Sequence, residues 1–207
     1  MLPHATPGAG PASSRRPRPL LLLALVVAAA ALLLPPAAAQ RSELPGATGA
    51  GLATSAARAG ATGIGDRYFP ADGNGGIDVV AYDVHVRYDF ARGLLAGRTR
   101  IVLRTTQALS SFGLDLLLPV QAVRVNGRPA GFSKPTQHEL RVRPARPLAQ
   151  GRRAVVVVDY AGRPGDLSYL GERNWLADRH EVVTMNQPHM APWWFPANDH
   201  PSDKARF

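Results

Sequence analysis

An alternation of apolar and polar residues with a period of two constrains the fold of this sequence most. In residues 82–89, tyrosines and valines alternate with aspartates, a histidine and an arginine. Such a period places successive side chains on opposite faces of a β-strand. Residues 98–105 alternate in the same way after a turn signal at Arg92-Gly93. The pattern predicts two neighbouring strands of an antiparallel sheet.

Further strand signals follow at short intervals, and no segment between residues 78 and 160 has a helical period. Residues 112–118 form an apolar run, and Asn126-Gly127 is a strong hairpin signal because both residues tolerate a positive φ. The β-branched run 155–158 is typical of a strand that is covered on both faces. These signals predict an all-β fold, an antiparallel multi-stranded sandwich or saddle-like sheet.

The first 39 residues have the composition of a secretory signal peptide. Three arginines precede the apolar run 20–34, and small residues follow it up to Ala39. This run is shorter than the ~20 residues of a membrane span, so we predict cleavage near Ala39, secretion and no stable membrane span afterwards. An uncleaved anchor is the alternative. Residues 40–65 are rich in Ala, Gly and Thr and predict a flexible linker, which leaves residues 66–207 as the β domain.

Composition excludes several functional classes. The sequence has no cysteine, which excludes disulfides, thiolate zinc sites and a cysteine nucleophile. It also lacks the G-x-S-x-G motif of serine hydrolases and a phosphate-binding glycine loop. The net charge is +9, and arginines cluster in residues 141–153, but the aromatic residues lie elsewhere. We therefore predict a solvated basic face and no binding of nucleic acid.

Two fragments begin like the zinc motif H-E-x-x-H. They start at His138-Glu139 and at His180-Glu181, and each lacks the second histidine. The motif binds zinc because two histidines four residues apart share one helix face. One histidine on a strand cannot do this, and the spacing of His180, His189 and His200 matches no ligand pattern. The sequence therefore predicts no metal ligand and no catalytic residue, and partly exposed loop histidines instead.

Residues 187–207 carry the most distinctive pattern. They contain a glutamine, an aromatic-Pro pair, Asp-x-Pro and a Lys-Ala ending with an aromatic residue, and these are Gln187, Phe195-Pro196, Asp199-His200-Pro201 and Lys204-Ala205-Arg206-Phe207. The segment resembles the end of the N-terminal β domain in the aminopeptidase N family of zinc metallopeptidases, the gluzincins. Residues 194–204 look especially like secreted actinobacterial members. The resemblance extends upstream to about residue 65.

This resemblance implies a role for Gln187 in substrate binding. In the family, its position binds the free α-amino group of a peptide substrate, and an amide oxygen supplies one hydrogen bond to such a group. Asp199-x-Pro201 is expected to fix a turn. The complete family enzyme uses zinc, but the G-x-M-E-N and H-E-x-x-H motifs of its catalytic domain are absent from this sequence. No cofactor is therefore expected in this chain, and its partner would be the N-terminus of a peptide.

Two functional hypotheses follow. In the first, the chain is the N-terminal substrate-binding portion of a secreted zinc-dependent aminopeptidase, truncated and inactive on its own. In the second, it is a stand-alone noncatalytic β-domain binding module. The first hypothesis predicts an exposed apolar patch around Trp193, Trp194, Phe195 and Phe207, where a catalytic domain would dock.

Overall fold

A computed structural model describes residues 56–185 and 187–207. The predicted signal peptide, 1–39, and most of the predicted linker lie outside the described residues. The described part contains two larger sheets and a two-stranded hairpin. Its strands are β1 (Arg58–Ala59), β2 (Ile77–Asp89), β3 (Leu94–Thr105), β4 (Leu109–Asp115), β5 (Val120–Val125), β6 (Arg128–Pro129), β7 (Gly131–Ser133), β8 (Glu139–Arg143), β9 (Arg153–Gly162), β10 (Leu176–Ala177) and β11 (Val182–Val183).

The five-stranded sheet has the order β2-β3-β9-β5-β6 and is antiparallel throughout. The alternating segments become β2 and β3, and the turn between them contains Gly93 with a φ of 61°. At the predicted hairpin, Asn126 and Gly127 adopt φ values of 49° and 76°. The Asn126 side chain also accepts a hydrogen bond from the Val155 N–H (2.9 Å), which ties the hairpin to β9. Sequence and structure agree here because local turn chemistry sets the register.

The four-stranded sheet has the order β1-β4-β8-β7, and its first strand pairs in parallel with β4. Strand β1 lies within the segment 40–65, which composition indicated as a linker. It is held by backbone bonds, with the Arg58 N–H donating to Ala108 (3.0 Å) and the Gly60 N–H donating to Ser111 (2.8 Å). Backbone pairing needs no large apolar side chain, so composition alone did not indicate this strand.

Side chains from both sheets form one continuous apolar core. The described residues are almost entirely strand and loop, with two short 3₁₀ turns at Pro164–Asp166 and Ala191–Trp193. The all-β antiparallel fold is therefore confirmed. No helix within residues 56–185 and 187–207 has the length and apolar character needed to cross a membrane. The largest fully buried side chains include Trp193, Tyr160 and Phe112.

A glycine on β3 makes room for a large aromatic ring on the neighbouring strand. Gly97 pairs with Tyr160 of β9, and a Cβ atom at Gly97 would overlap the Tyr160 ring. The Tyr160 hydroxyl bonds to the buried Thr99 Oγ1 (3.0 Å), which fixes the position of the ring. Burial raises the pKa of Tyr160 to about 12. The ring therefore takes the place of the missing side chain at Gly97.

We expect Gly97→Ala to destabilise the protein by about 1–3 kcal/mol, because the added methyl group overpacks against the Tyr160 ring. Equilibrium unfolding in urea measures the change. The matched control is Gly131→Ala on strand β7, where an added Cβ would lie 3.8 Å from the nearest atom, Cβ of Arg143. Equal stability of the two variants would contradict the close packing of Tyr160 on Gly97.

Candidate functional site

The C-terminal segment, residues 187–207, contacts both sheets. The Leu117 N–H donates to the Pro192 carbonyl oxygen (2.8 Å). Asp115 and Ala197 exchange two backbone hydrogen bonds of 2.7 and 3.0 Å. At the end of the segment, Arg206 pairs in parallel with Ala81 of the edge strand β2. The segment that carries the family-like pattern is therefore integrated into the sheet framework.

The prediction of an exposed apolar patch is wrong for most of the four residues that it named. Trp193 is fully buried, Phe195 is 4% exposed and Trp194 is half-buried. Only Phe207 is largely exposed, and its ring stacks on Tyr82 at a centroid distance of 5.2 Å. Aromatic side chains bury a large surface area each, and here most of them pack into the core instead of forming an exposed docking surface.

A cavity of about 610 Å³ opens beside this segment, and Gln187 forms part of its wall. The structure thus places the one residue that the sequence indicated for substrate binding at a concave surface, with its side chain exposed. The remaining wall combines aromatic and polar side chains, which include Tyr82, Phe195, Asn198, Asp199, His200, Asp203 and Phe207. Concave sites with a few polar groups in an apolar wall are typical of ligand sites.

Asn198 is the centre of a hydrogen-bond network behind the cavity. Its Oδ1 accepts from the Asn74 N–H (2.6 Å), and its own N–H donates to the Tyr82 hydroxyl (2.9 Å). Its Nδ2 donates to Asp203, whose carboxylate also accepts from the Val79 N–H (3.1 Å). Burial raises the pKa of Tyr82 well above its ordinary value. The network links the C-terminal segment to β2 and fixes one wall of the cavity.

Two carboxylates belong to the cavity wall, Asp199 and Asp203. Burial and the nearby Asp72 carboxylate raise the pKa of Asp199 to about 7, and a hydrogen bond from the Ala191 N–H opposes this shift. The expected turn is present, since the Asp203 N–H donates to the His200 carbonyl oxygen (3.0 Å) around Pro201. Asp199 precedes this turn, and its carboxylate accepts a hydrogen bond from the Ala191 N–H instead of from the turn.

The three C-terminal histidines have separate environments. His189 Nδ1 lies 3.1 Å from Asp72 Oδ2, and His200 Nε2 lies 3.5 Å from Asp66 Oδ2, whereas His180 is exposed. Among the described residues, Asp115, His138 and Glu139 form a group of potential metal ligands, with one ligand atom of each within 4.8 Å of the others.

Sequence reasoning missed the Asp115 group. Residues 138–139 stood out only as an incomplete zinc motif, and Asp115 lies in the run 112–118, which the sequence indicated as an apolar strand. The available signal was an acidic residue inside an apolar run, because such a residue is buried with it. Burial raises the pKa of Asp115 and of Glu139 above their ordinary values.

Neither a protein-family model nor a curated protein matches the sequence. Among solved structures, the fold is similar to a two-domain M1 zinc metallopeptidase, a mutant bound to L-arginine, with a TM-score of 0.62 and 32% identity. It is also similar to the M1 zinc metallopeptidase of Deinococcus radiodurans, alone (TM-score 0.60, 33% identity) and as a mutant bound to a Tyr-Ser-Ala substrate (TM-score 0.60, 32% identity). The described fold resembles the M1 zinc metallopeptidases.

The similarity to the M1 zinc metallopeptidases covers 69% of this chain and 34% of each of those three chains. The chain therefore spans about a third of the length of these relatives. This coverage is consistent with one β domain of an M1 enzyme, and the resemblance to the aminopeptidase N family is confirmed.

Proposed function

We propose that this chain is the N-terminal substrate-binding domain of a secreted zinc-dependent aminopeptidase, which removes N-terminal residues from peptides. The observation that carries the proposal is the M1-like fold at 32% identity over 69% of the chain. One of the similar structures contains a Tyr-Ser-Ala substrate, which supports a peptide as the ligand class. Secretion is proposed from residues 1–39.

Gln187 is the residue proposed to contact the substrate. Its amide oxygen can accept one hydrogen bond from the α-ammonium group of a peptide. Asp203 in the same cavity wall, and Asp199 when it is deprotonated, add negative charge, which favours a cationic group in the cavity. A site that binds the chain end fixes which peptide bond lies next to the catalytic centre, as an aminopeptidase requires.

The described residues do not fit the catalytic zinc that the M1 fold implies. A catalytic zinc site combines three protein ligands with an open position for water. His189 and His200 have separate partners and His180 is exposed, and the Asp115 and Glu139 side chains are buried, which leaves no open position there. Zinc and its chemistry would come from the part of the enzyme that this chain does not match, so the chain alone is proposed to be inactive.

A stand-alone noncatalytic binding module is the second candidate. Trp193 and Phe195 are buried, and Arg206 pairs with β2, so these residues do not form an open docking surface. A self-sufficient module would have such a closed C-terminal segment. The two candidates differ in whether this domain can support catalysis when it is joined to an M1 catalytic region.

A chimera tests the proposed function. Residues 56–207 replace the matching third of the D. radiodurans metallopeptidase, and hydrolysis of the Tyr-Ser-Ala peptide is measured. We expect an active chimera in which Gln187→Ala lowers kcat/KM by about tenfold, the value of one lost hydrogen bond to a charged group. Gln187→Glu is expected to raise kcat/KM, because a carboxylate binds an ammonium more strongly.

The control variant for the chimera is Gln150→Ala, which removes another exposed glutamine from a loop. It is expected to leave kcat/KM unchanged. A folded but inactive chimera would favour the stand-alone binding module. An active chimera that is insensitive to Gln187→Ala would contradict the role of Gln187 and leave the domain assignment intact.

A further inference from the structure

Two buried carboxylates lie side by side on neighbouring strands of the four-stranded sheet. Asp115 ends β4 and Glu139 begins β8, and the two residues are directly opposite in the antiparallel pair. Residues in this relation project from the same face of the sheet. Asp115 is 2% exposed and Glu139 is 3% exposed. Two like charges directly opposite each other are unfavourable, and burial away from water increases the cost.

An amide carbonyl adds a third oxygen to this group. Asn74 is fully buried, and its Nδ2 donates to Asp115 Oδ2 (3.1 Å). This bond directs Asn74 Oδ1 over the Cα atom of Gly113, beside Glu139 Oε2, in the space that a side chain at Gly113 would fill. Exchanging the amide oxygen and nitrogen of Asn74 would place Oδ1 against Asp115 Oδ2, so the conflict between acceptors would remain.

Three buried acceptors in this group lack a donor. Among the described residues, Asn74 Oδ1, Asp115 Oδ1 and Glu139 Oε2 have no hydrogen-bond partner. Buried polar atoms without partners are rare, and each needs an explanation such as an ion. Two of these oxygens, Asn74 Oδ1 and Glu139 Oε2, lie beside Gly113. Three unpartnered oxygens in one buried group indicate a missing positive charge.

The basic side chains nearby do not supply that charge directly. Lys134 Nζ donates to the Leu116 carbonyl oxygen. His138 Nε2 is 3.7 Å from Glu139 Oε1. Within residues 56–185 and 187–207, no lysine or arginine nitrogen lies within 4.0 Å of a carboxylate oxygen of Asp115 or Glu139.

We propose that Asn74, Asp115 and Glu139 bind a divalent cation between β4 and β8, with His138 beside them. Two carboxylates and an amide carbonyl are hard oxygen ligands, which suit Ca²⁺ or Mn²⁺ better than a softer metal. The site is closed, so the cation is structural and its role is independent of the proposed aminopeptidase function. It stabilises the position of Asp115, whose Oδ2 also accepts the Asp199 N–H (2.8 Å) behind the cavity.

Cation binding is tested on the full chain after removal of metals with a chelator. Ca²⁺ and Mn²⁺ are added separately, and the melting temperature and the binding stoichiometry are measured. We expect one cation per chain and a melting temperature that rises by roughly 5–10 °C at a hundred times the Kd. The protein isolated without chelator is expected to contain the same single equivalent by elemental analysis.

Asp115→Asn and Glu139→Gln separate binding from folding. Each variant keeps the shape of the side chain and replaces one negative charge with an amide that can donate to a neighbouring oxygen. Both variants are therefore expected to fold without a cation, as shown by circular dichroism, and to lose the cation-dependent rise in melting temperature. Glu172→Gln is the control, since Glu172 is exposed, and it is expected to keep the full rise.

Two results would overturn the proposal. One is a wild-type protein that contains no stoichiometric cation and whose melting temperature does not respond to Ca²⁺ or Mn²⁺. The other is an equal response in wild type, Asp115→Asn and Glu139→Gln, which would place the cation elsewhere. In both cases a proton shared between the two carboxyl groups would be the better explanation of their close approach.

Discussion

Replacing Trp193 with alanine is expected to lower the free energy of unfolding by about 3–5 kcal/mol, a large share of the stability of a domain of this size. Trp193 is fully buried among Leu117, Met190 and the partly buried Tyr169 and Trp175. The cost includes the lost burial of a large aromatic side chain and the cavity that remains. Equilibrium unfolding in guanidinium chloride, followed by circular dichroism, measures this change.

The neighbouring Trp194 provides the matched control. It is half-buried, so Trp194→Ala is expected to cost less than Trp193→Ala in the same measurement. Both variants remove an identical side chain from adjacent positions, and the two side chains differ in the extent of burial. A larger loss for Trp194→Ala would show that the two indoles have exchanged places and that the C-terminal segment packs in another register.

The second large effect is expected for Asn198→Ala, with a loss of about 2–4 kcal/mol in the free energy of unfolding. The substitution removes the acceptor of the buried Asn74 N–H and the donor to Asp203. A buried polar group without a partner bears its full desolvation cost. Because Asn198 connects the segment to the sheets, exchange of the Tyr82 and Arg206 backbone amides, measured by hydrogen exchange, is expected to become faster.

Ser202→Ala is the control for Asn198→Ala. Ser202 is exposed in the same segment, and its hydroxyl contacts only the neighbouring His200 Nδ1 (2.8 Å) among the described residues. We expect a change within about 0.5 kcal/mol, as for most surface substitutions. A similarly small change for Asn198→Ala would mean that the network does not hold the segment in place.

The strands were predictable where the same local property of the residues produces both the sequence pattern and the backbone conformation. The alternation in residues 82–89 correctly predicted strand β2, whose apolar side is buried at Tyr82, half-buried at Val84 and Tyr88 and exposed at Val86. The positive φ at Asn126 and Gly127 follows from their residue types. The β-branched run 155–158 predicts a strand that is covered on both faces. The structure buries Val156 and Val158 fully and the other two valines halfway.

Long-range polar contacts were not predictable in the same way. Asn74 and Asn198 are 124 positions apart, and their hydrogen bond leaves no periodic trace in the sequence. The pairing of Asp115 with Glu139 depends on the register of β4 and β8, which neither segment specifies alone. The sequence shows aromatic residues at positions 193–195 and 207, but only the packing in three dimensions determines which of these side chains are buried.

The pairing of Arg206 with β2 has a consequence for self-association. An uncovered edge strand offers unpaired N–H and C=O groups to a second molecule. Arg206 occupies two of these positions, since its carbonyl oxygen accepts the Tyr82 N–H (2.8 Å) and its N–H donates to Val80 (3.2 Å). The irregular pairing of β2 between Val79 and Ala81 lies at the same point. Arg206 thus covers the β2 edge at residues 80–82 and hinders edge-to-edge association of the sheet at that point.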